Sequence, residues 1–395
     1  MYDKRNVCMS ALIHWVRIDK GYTLSYISKE TGLSMQYISE IEHCEKDISP
    51  KTYHSLCVYL GISEVNQNEI DESEKKMMSM IESYLYKKFD EVTKIAREIQ
   101  NNKMKPSIGI LYNQLILQTY DLLLQANTNS FQSFMKIFES YYEKMNGEIT
   151  AYYYLLKAFY YDLKQEYKNS IECINYSFCN IGTESKLEPL LLAEKAAVLM
   201  KNGNLINALL QCQKTIEVAM KFSIFPLILT TKMNQSIIYV YLKQYADAIQ
   251  GFKECIQTAN TIGDDDIALK CNVNIALTYL CQEKYNQAYE LADLVLRNKP
   301  QTVEMNFVQK VASYFNIDKK KSEYNRNMYS KEFNSFLKLM DSIQVNYNDK
   351  EFINKALLKY ENEFMFQTIL RNYIIYNCVK HEKYELAFCY LSTLF

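Results

Sequence analysis

The sequence predicts an all-α fold in two parts: a compact module of short helices over residues 1–63, and a long array of helical pairs from residue 76 onward. Three observations point there. In 395 residues there are only 9 glycines and 5 prolines, so helix breakers are scarce. Apolar residues recur at helical rather than alternating spacing. A helix-turn-helix pattern returns at a fixed interval of 40 residues in the middle of the chain.

The first module is punctuated by caps. "VCMSALIHWVRID" places Ile13 and Val16 on one helical face, and "KGYT" breaks it. Thr23 is a predicted N-cap for "LSYISKET", in which Ile27 points inward and Ser28 permits close helix approach. Gly32 ends that helix, Leu33 is the apolar turn residue, and Ser34 caps "MQYISEIE" with Ile38 and Ile41 on the buried side. Pro50 opens a fourth helix that closes at Gly61. Residues 64–75, "EVNQNEIDESEK", are polar and acidic and read as a linker or the start of a linker helix.

Several chemistries find no motif. The glycines are too dispersed for a dinucleotide or P-loop phosphate cradle. His14, His43, His54 and His381 lie in no metal-ligand spacing, and the adjacent His43 and Cys44 read as a turn. No cofactor, metal or catalytic residue is expected, and the chain is not expected to be an enzyme. The 11 cysteines form no CxxC pair and read as reduced thiols of a cytoplasmic protein. No stretch reaches the roughly 18 uncharged apolar residues of a membrane span, so no membrane contact is expected. The net charge of −1 offers no overall attraction to nucleic acid, so any such contact must be local.

Two short helices joined through "TGLS" form a helix-turn-helix, and "IxxVRxxKGYT…IS…TGLS…ISxIE" resembles the Cro/repressor-type (XRE) family over about 55 residues. The resemblance implies that the second helix of the pair enters the major groove of double-stranded DNA. Met35, Gln36 and Glu40 fall at base-reading positions, bordered by Tyr37 and Ser39. Gln36 suits adenine, Glu40 a cytosine amine and Met35 a thymine methyl. Arg17 falls at the family's helix-one arginine, expected at phosphate, and the Ser34 backbone N–H is expected there too. The chain departs from the family at Leu24, often Gln, at Cys44, usually Gly, and in the acidic loop "EKDISP". Residues 1–61 carry as many acids as bases, so phosphate neutralisation by a single module is weak. A helix-turn-helix retained only for dimerisation is the alternative reading.

In the second part, "NQSIIYVYLKQYADAIQGFKECI" (234–256) aligns with "NIALTYLCQEKYNQAYELADLVL" (274–296): Tyr239 with Tyr279, Tyr245 with Tyr285, and Ala248 with Ala288. Ala208 fits one interval upstream, and Tyr167 with Ser170, and Tyr384 with Ala387, fit the same pattern elsewhere. The pattern resembles the tetratricopeptide (TPR) repeat, with longer helices or loops than its standard period. Pro226 and Pro300 are expected in inter-repeat turns. The abundance of tyrosine (34) reads as packing. A TPR-like α-solenoid implies a concave groove for an extended peptide. Asn234 and Asn274 fall where that groove is lined and suit a peptide backbone. Met233, Ile237, Val273 and Leu277 are their apolar neighbours, and Lys232 and Lys270 are expected at a carboxylate. Exposure without function is the other reading of the two asparagines.

The combination resembles the RRNPP family of peptide-sensing transcription regulators. It implies quorum sensing by a homodimer, with a short signalling peptide bound over 76–395 changing occupancy of a palindromic operator. An adaptor that binds or inhibits a protein partner, with a vestigial DNA-binding module, is the alternative.

Overall fold

The computed structural model describes residues 3–62, 68–101, 106–315, 329–360 and 363–392, and every regular element among them is helical. The chain divides into two compact units, Met1–Ile228 and Leu229–Phe395.

The first unit opens with α1 (Lys4–Asp19), α2 (Leu24–Thr31), α3 (Met35–Glu42) and α4 (Pro50–Leu60). Each begins where a side chain bonds the first turn: Asp3 to Arg5 N, Thr23 to Tyr26 N, Ser34 to Tyr37 N and Ser49 to Thr52 N. Gly32 and Gly61 close α2 and α4 in the left-handed conformation. Cys44, which follows α3, takes that conformation too, at φ 56°, which accounts for the family's usual glycine there. Ile13, Val16, Ile27, Ile38 and Ile41 are all buried in one core.

That core does not end at residue 63. After α5 (Asn68–Leu85) and α6 (Phe89–Asn101), the chain forms α7 (Ile110–Thr119), a π-helical turn (Tyr120–Leu124) and α8 (Thr128–Lys144). Val7, Cys8 and Leu12 of α1 share a cluster with apolar residues of α5, α7 and α8. Of the expected linker, residues 64–67 lie outside the described residues. Residues 68–75 are helical, with Ile70 and Ser73 buried, because Ile70 supplies an apolar contact within the acidic stretch. The pairs α9 (Glu148–Leu163) with α10 (Tyr167–Phe178), and α11 (Glu188–Lys201) with α12 (Leu205–Lys221), complete the unit. Tyrosine fills its interior: the Tyr142 and Tyr153 rings stack at 4.6 Å, and the Tyr142 hydroxyl donates to the Leu111 carbonyl.

The chain enters the second unit within α13 (Phe225–Tyr241) and continues through α14 (Tyr245–Ile262), α15 (Asp265–Cys281) and α16 (Tyr285–Asn298). The fold keeps the 40-residue interval: α12, α14 and α16 start at Leu205, Tyr245 and Tyr285. Ala208, Ala248 and Ala288, fourth in each helix, are fully buried, as is Ser170 in α10, and Ala387 in the last helix is nearly so. No larger side chain leaves room for the partner helix. Gly251 serves the same end, since a Cβ there would strike Ser236. The pair turns repeat a left-handed residue at Gly203, Lys243 and Glu283. The next amide in each turn bonds back five residues, to Leu199, Tyr239 and Tyr279. Pro226 sits inside the first turn of α13 rather than in a connection, because its missing N–H costs nothing there.

Beyond α17 (Val303–Phe315) the described chain resumes with α18 (Lys331–Asn346), α19 (Lys350–Leu358), α20 (Phe364–Lys380) and α21 (Tyr384–Ser392). Helix α20 packs against α15 as well as α18 and α19. Phe364 meets Tyr241 with ring centroids 5.2 Å apart, and Asn372 reaches the Cys281 carbonyl.

Candidate nucleic-acid interface and peptide groove

Helix α3 offers one face to solvent. Met35 and Gln36 are exposed on its first turn, beside the exposed cap Ser34. The Gln36 amide donates to Glu40 Oε1 at 2.9 Å, and Lys46 lies 2.6 Å from Glu40 Oε2. These bonds, Lys46 first and Gln36 next, hold the Glu40 carboxyl below its usual pKa. Glu40 therefore fixes the Gln36 amide plane, which leaves its second N–H and its carbonyl for the donor and acceptor pair of an adenine edge. Tyr37 and Ser39 are half-buried. Lys46 stands over the Tyr37 ring, and the Ser39 carbonyl bonds His43 Nδ1 at 2.8 Å, so both residues shape the helix flank.

Arg17 differs from its expected place at phosphate. Its Nε and Nη2 bond the two carboxylate oxygens of Glu42 at 2.5 and 2.7 Å, and its Nη1 donates to the Tyr22 carbonyl. Glu42 is the last residue of α3 and 1% exposed. Burying that carboxylate demands a bidentate partner, and the helix-one arginine supplies it. Arg17 thus braces α1 against α3. Lys20, Lys29 and Lys51 of this module are exposed, as is Lys46.

The end of α3 is also held from α8, a tie that residues 1–63 gave no sign of. The Tyr141 hydroxyl donates to the Glu42 carbonyl at 2.6 Å and lies 2.7 Å from His14 Nδ1. With the hydroxyl proton on Glu42, the Tyr141 oxygen accepts from His14 Nδ1–H, which sets that tautomer. Burial lowers the His14 pKa, with Arg17 and His43 acting the same way and Glu42 opposing them. Lys144 donates to the His43 carbonyl, and Lys4 of α1 pairs with Glu74 of α5 at 2.7 Å. Partners about a hundred residues apart leave no local pattern in the sequence.

In the second unit, Asn234 and Asn274 occupy the same register of α13 and α15, and both are half-buried. The Asn274 carbonyl accepts from Thr278 Oγ1 at 2.6 Å. Met233 and Ile237 pack beside one apolar cluster, and Val273 and Leu277 beside another, so all four already contribute to the core. Lys270 pairs with Asp266 at 2.7 Å one turn back, while Lys232 is exposed. The sequence did not foresee that α20 would cover the C-terminal ends of α13 and α15, because nothing local in residues 364–372 distinguishes them from other apolar helix starts.

The helix-turn-helix family (HTH_3) matches residues 13–65. Transcriptional activator NprA of Geobacillus stearothermophilus is 24% identical over 142 residues, which is 35% of either chain, so this chain aligns with about a third of that relative's length. A Rap protein complexed with Competence and Sporulation Factor superposes with a TM-score of 0.61 at 11% identity, covering 83% of this chain and 97% of that one. The apo form of the quorum sensor NprR from B. thuringiensis superposes with a TM-score of 0.58 at 15% identity, covering 82% and 97%. These likenesses establish the fold.

Proposed function

We propose that this chain, an XRE-type helix-turn-helix joined to the helical-repeat fold of the peptide-sensing RRNPP regulators, is a DNA-binding transcription regulator of the quorum-sensing type. It works by binding alone, with a short signalling peptide controlling its hold on an operator. The observation that carries the DNA half is the capped, outward face of α3, with Gln36 oriented by Glu40. Support for the peptide half comes from the shared fold and from Asn234 and Asn274 in equal register.

No described helix is long and apolar enough to cross a membrane, and the reading places the protein in the cytoplasm. It acts as a homodimer on a palindromic operator, because two recognition helices about 34 Å apart double the few phosphate contacts of a charge-neutral module. The stripe of Tyr384, Phe388 and Leu391 exposed along α21 supports such pairing. A peptide switches such a protein only by binding two conformations unequally. The bonds from Tyr141 and Lys144 to the end of α3 give the repeat region a direct hold on the DNA-reading helix.

Selection of bound fragments from random duplex DNA tests the reading. An enriched palindrome is expected, and Gln36→Ala is expected to relax one or two positions at a cost of about 1–3 kcal/mol in discrimination. An unaltered profile removes Gln36 from base reading. Asn234→Ala combined with Asn274→Ala is expected to weaken the cognate peptide and leave operator binding by the free protein intact. Equal peptide affinity rejects the groove assignment. The internal pairing of Arg17 and Lys46 favours the adaptor as the second reading, and absence of sequence-selective binding even at low salt decides for it.

A further inference from the structure

Helices α19, α20 and α21 line an open cleft of about 550 Å³ in the second unit. Lys350 and Asn354 face it from one side of α19, followed one turn on by Leu357, while Gln367 and Arg371 face it from consecutive turns of α20 and Leu386 from α21. Among the described residues, none of the four polar side chains has a hydrogen-bond or ion-pair partner elsewhere in the protein. Arg371 is the informative one. Its Nε is shielded from solvent with nothing to bond, and burial alone pulls its pKa down, with no carboxylate opposing the shift. Arg17 and Arg297, by contrast, each meet a carboxylate, Glu42 and Asp293, the latter at 2.6 Å.

A half-buried guanidinium without an anion is costly to hold. A polar wall of two cations and two amides, closed by leucines, has the size and mixed lining of a small-molecule site. We propose that this cleft binds a ligand carrying a carboxylate on a small apolar body. Arg371 grips the carboxylate with its planar fork, and Lys350 adds a second positive charge. Asn354 and Gln367 bond the polar atoms next to the carboxylate, and Leu357 and Leu386 enclose the apolar part. The leucines beside these cations suit a carboxylate on an apolar body better than a phosphate, which is polar on every side. The carboxylate can be the free C-terminus of a short apolar peptide or that of a short-chain acid, and the site does not depend on the groove at Asn234 and Asn274.

Isothermal titration of the full chain separates the sources and tests the site. The probes are octanoate with octanamide, and the peptide Ala-Leu-Ala-Leu as free acid and as C-terminal amide. At least one acid is expected to bind at sub-millimolar concentration, about tenfold or more above its neutral counterpart, the worth of one charge-assisted contact. Whichever acid binds identifies the source. Arg371→Gln is expected to remove that preference, and the exposed Lys350→Gln to reduce affinity by a smaller factor. Thermal melting of both variants checks that they fold, and Lys350→Gln carries the test if Arg371→Gln does not. The proposal is overturned if neither acid binds, if the amides bind as well as the acids, or if affinity is unchanged in the folded variants.

Discussion

Glu42 at the end of α3 and Glu194 in the middle of α11 are both almost fully buried, at 1% and 6% exposed, yet their surroundings are opposite. Glu42 receives the fork of Arg17 on both carboxylate oxygens. Glu194 has no such partner: its Oε1 bonds nothing, and the nearest charged groups are Asp162 and the Lys201 that pairs with Asp162. Burial first, and Asp162 second, push the Glu194 carboxyl up to about 8, with Lys201 only partly offsetting them. The N-terminal module therefore spends a buried charge pair on fixing one helix against another. The repeat region tolerates a buried acid by keeping it protonated.

Breaking the Glu42 pair gives the largest effect. Glu42→Ala leaves the Arg17 guanidinium, whose side chain is 14% exposed, without its carboxylate. An uncompensated charge of this kind costs about 3–5 kcal/mol. Urea denaturation is expected to show that loss together with loss of operator binding, since α3 is no longer braced. A loss below about 1 kcal/mol would make the pair no more than a surface salt bridge.

Glu194→Gln is expected to act in the other direction. In the native state the carboxyl stays protonated up to about 8, while in the unfolded chain it ionises near its usual value of 4.5. The native group has the raised value, so its stabilising contribution is complete below pH 4.5 and is lost as pH rises toward 8. Glutamine needs no proton. The variant is therefore expected to match the parent near pH 4 and exceed it by on the order of 3 kcal/mol at pH 7. Parallel stability curves across that range would show that Glu194 is ionised in the fold.

The same contrast decides what was legible in the sequence. Thr23 and Ser34 announced their helices because a cap bonds the amide three residues on, and Pro50 because its fixed φ and missing N–H suit a first helical position. The repeats announced themselves through Ala208, Ala248 and Ala288, whose interval is set by the geometry of stacking like on like. Arg17 was placed at phosphate because its spacing fits that role equally well; only burial of Glu42, 25 residues on, draws it inward. Glu194 lies in "LLLAEKAAVLM" like any surface glutamate of an amphipathic helix. Its burial comes from the neighbouring helices, which no local window contains. Of the candidate site, the exposed Met35 and Gln36 were readable, whereas the Glu40–Gln36 bond, the hold of α8 on α3 and the cleft around Arg371 were not.

The smallest of these effects is the most direct test of whether α3 is held from outside its own module. Tyr141→Phe keeps the ring and its packing, and removes only the hydroxyl that donates to the Glu42 carbonyl and accepts from His14. The buried Glu42 carbonyl and the half-buried His14 Nδ1 then lack a partner, and the expected cost is about 1–2 kcal/mol. Glu42 still has Arg17, so the brace within the module survives and the loss should be local. Hydrogen exchange is expected to speed up in the last turn of α3 more than in its first, where Ser34 still bonds Tyr37. Operator affinity is expected to change in the free protein, because the end of the reading helix is released while its exposed face is untouched. If exchange rises evenly along α1 to α4, the hydroxyl supports the whole module and not the helix end. If neither exchange nor affinity changes, α8 has no hold on α3, and any control of DNA binding by the repeats must run through another contact, such as Lys4 with Glu74.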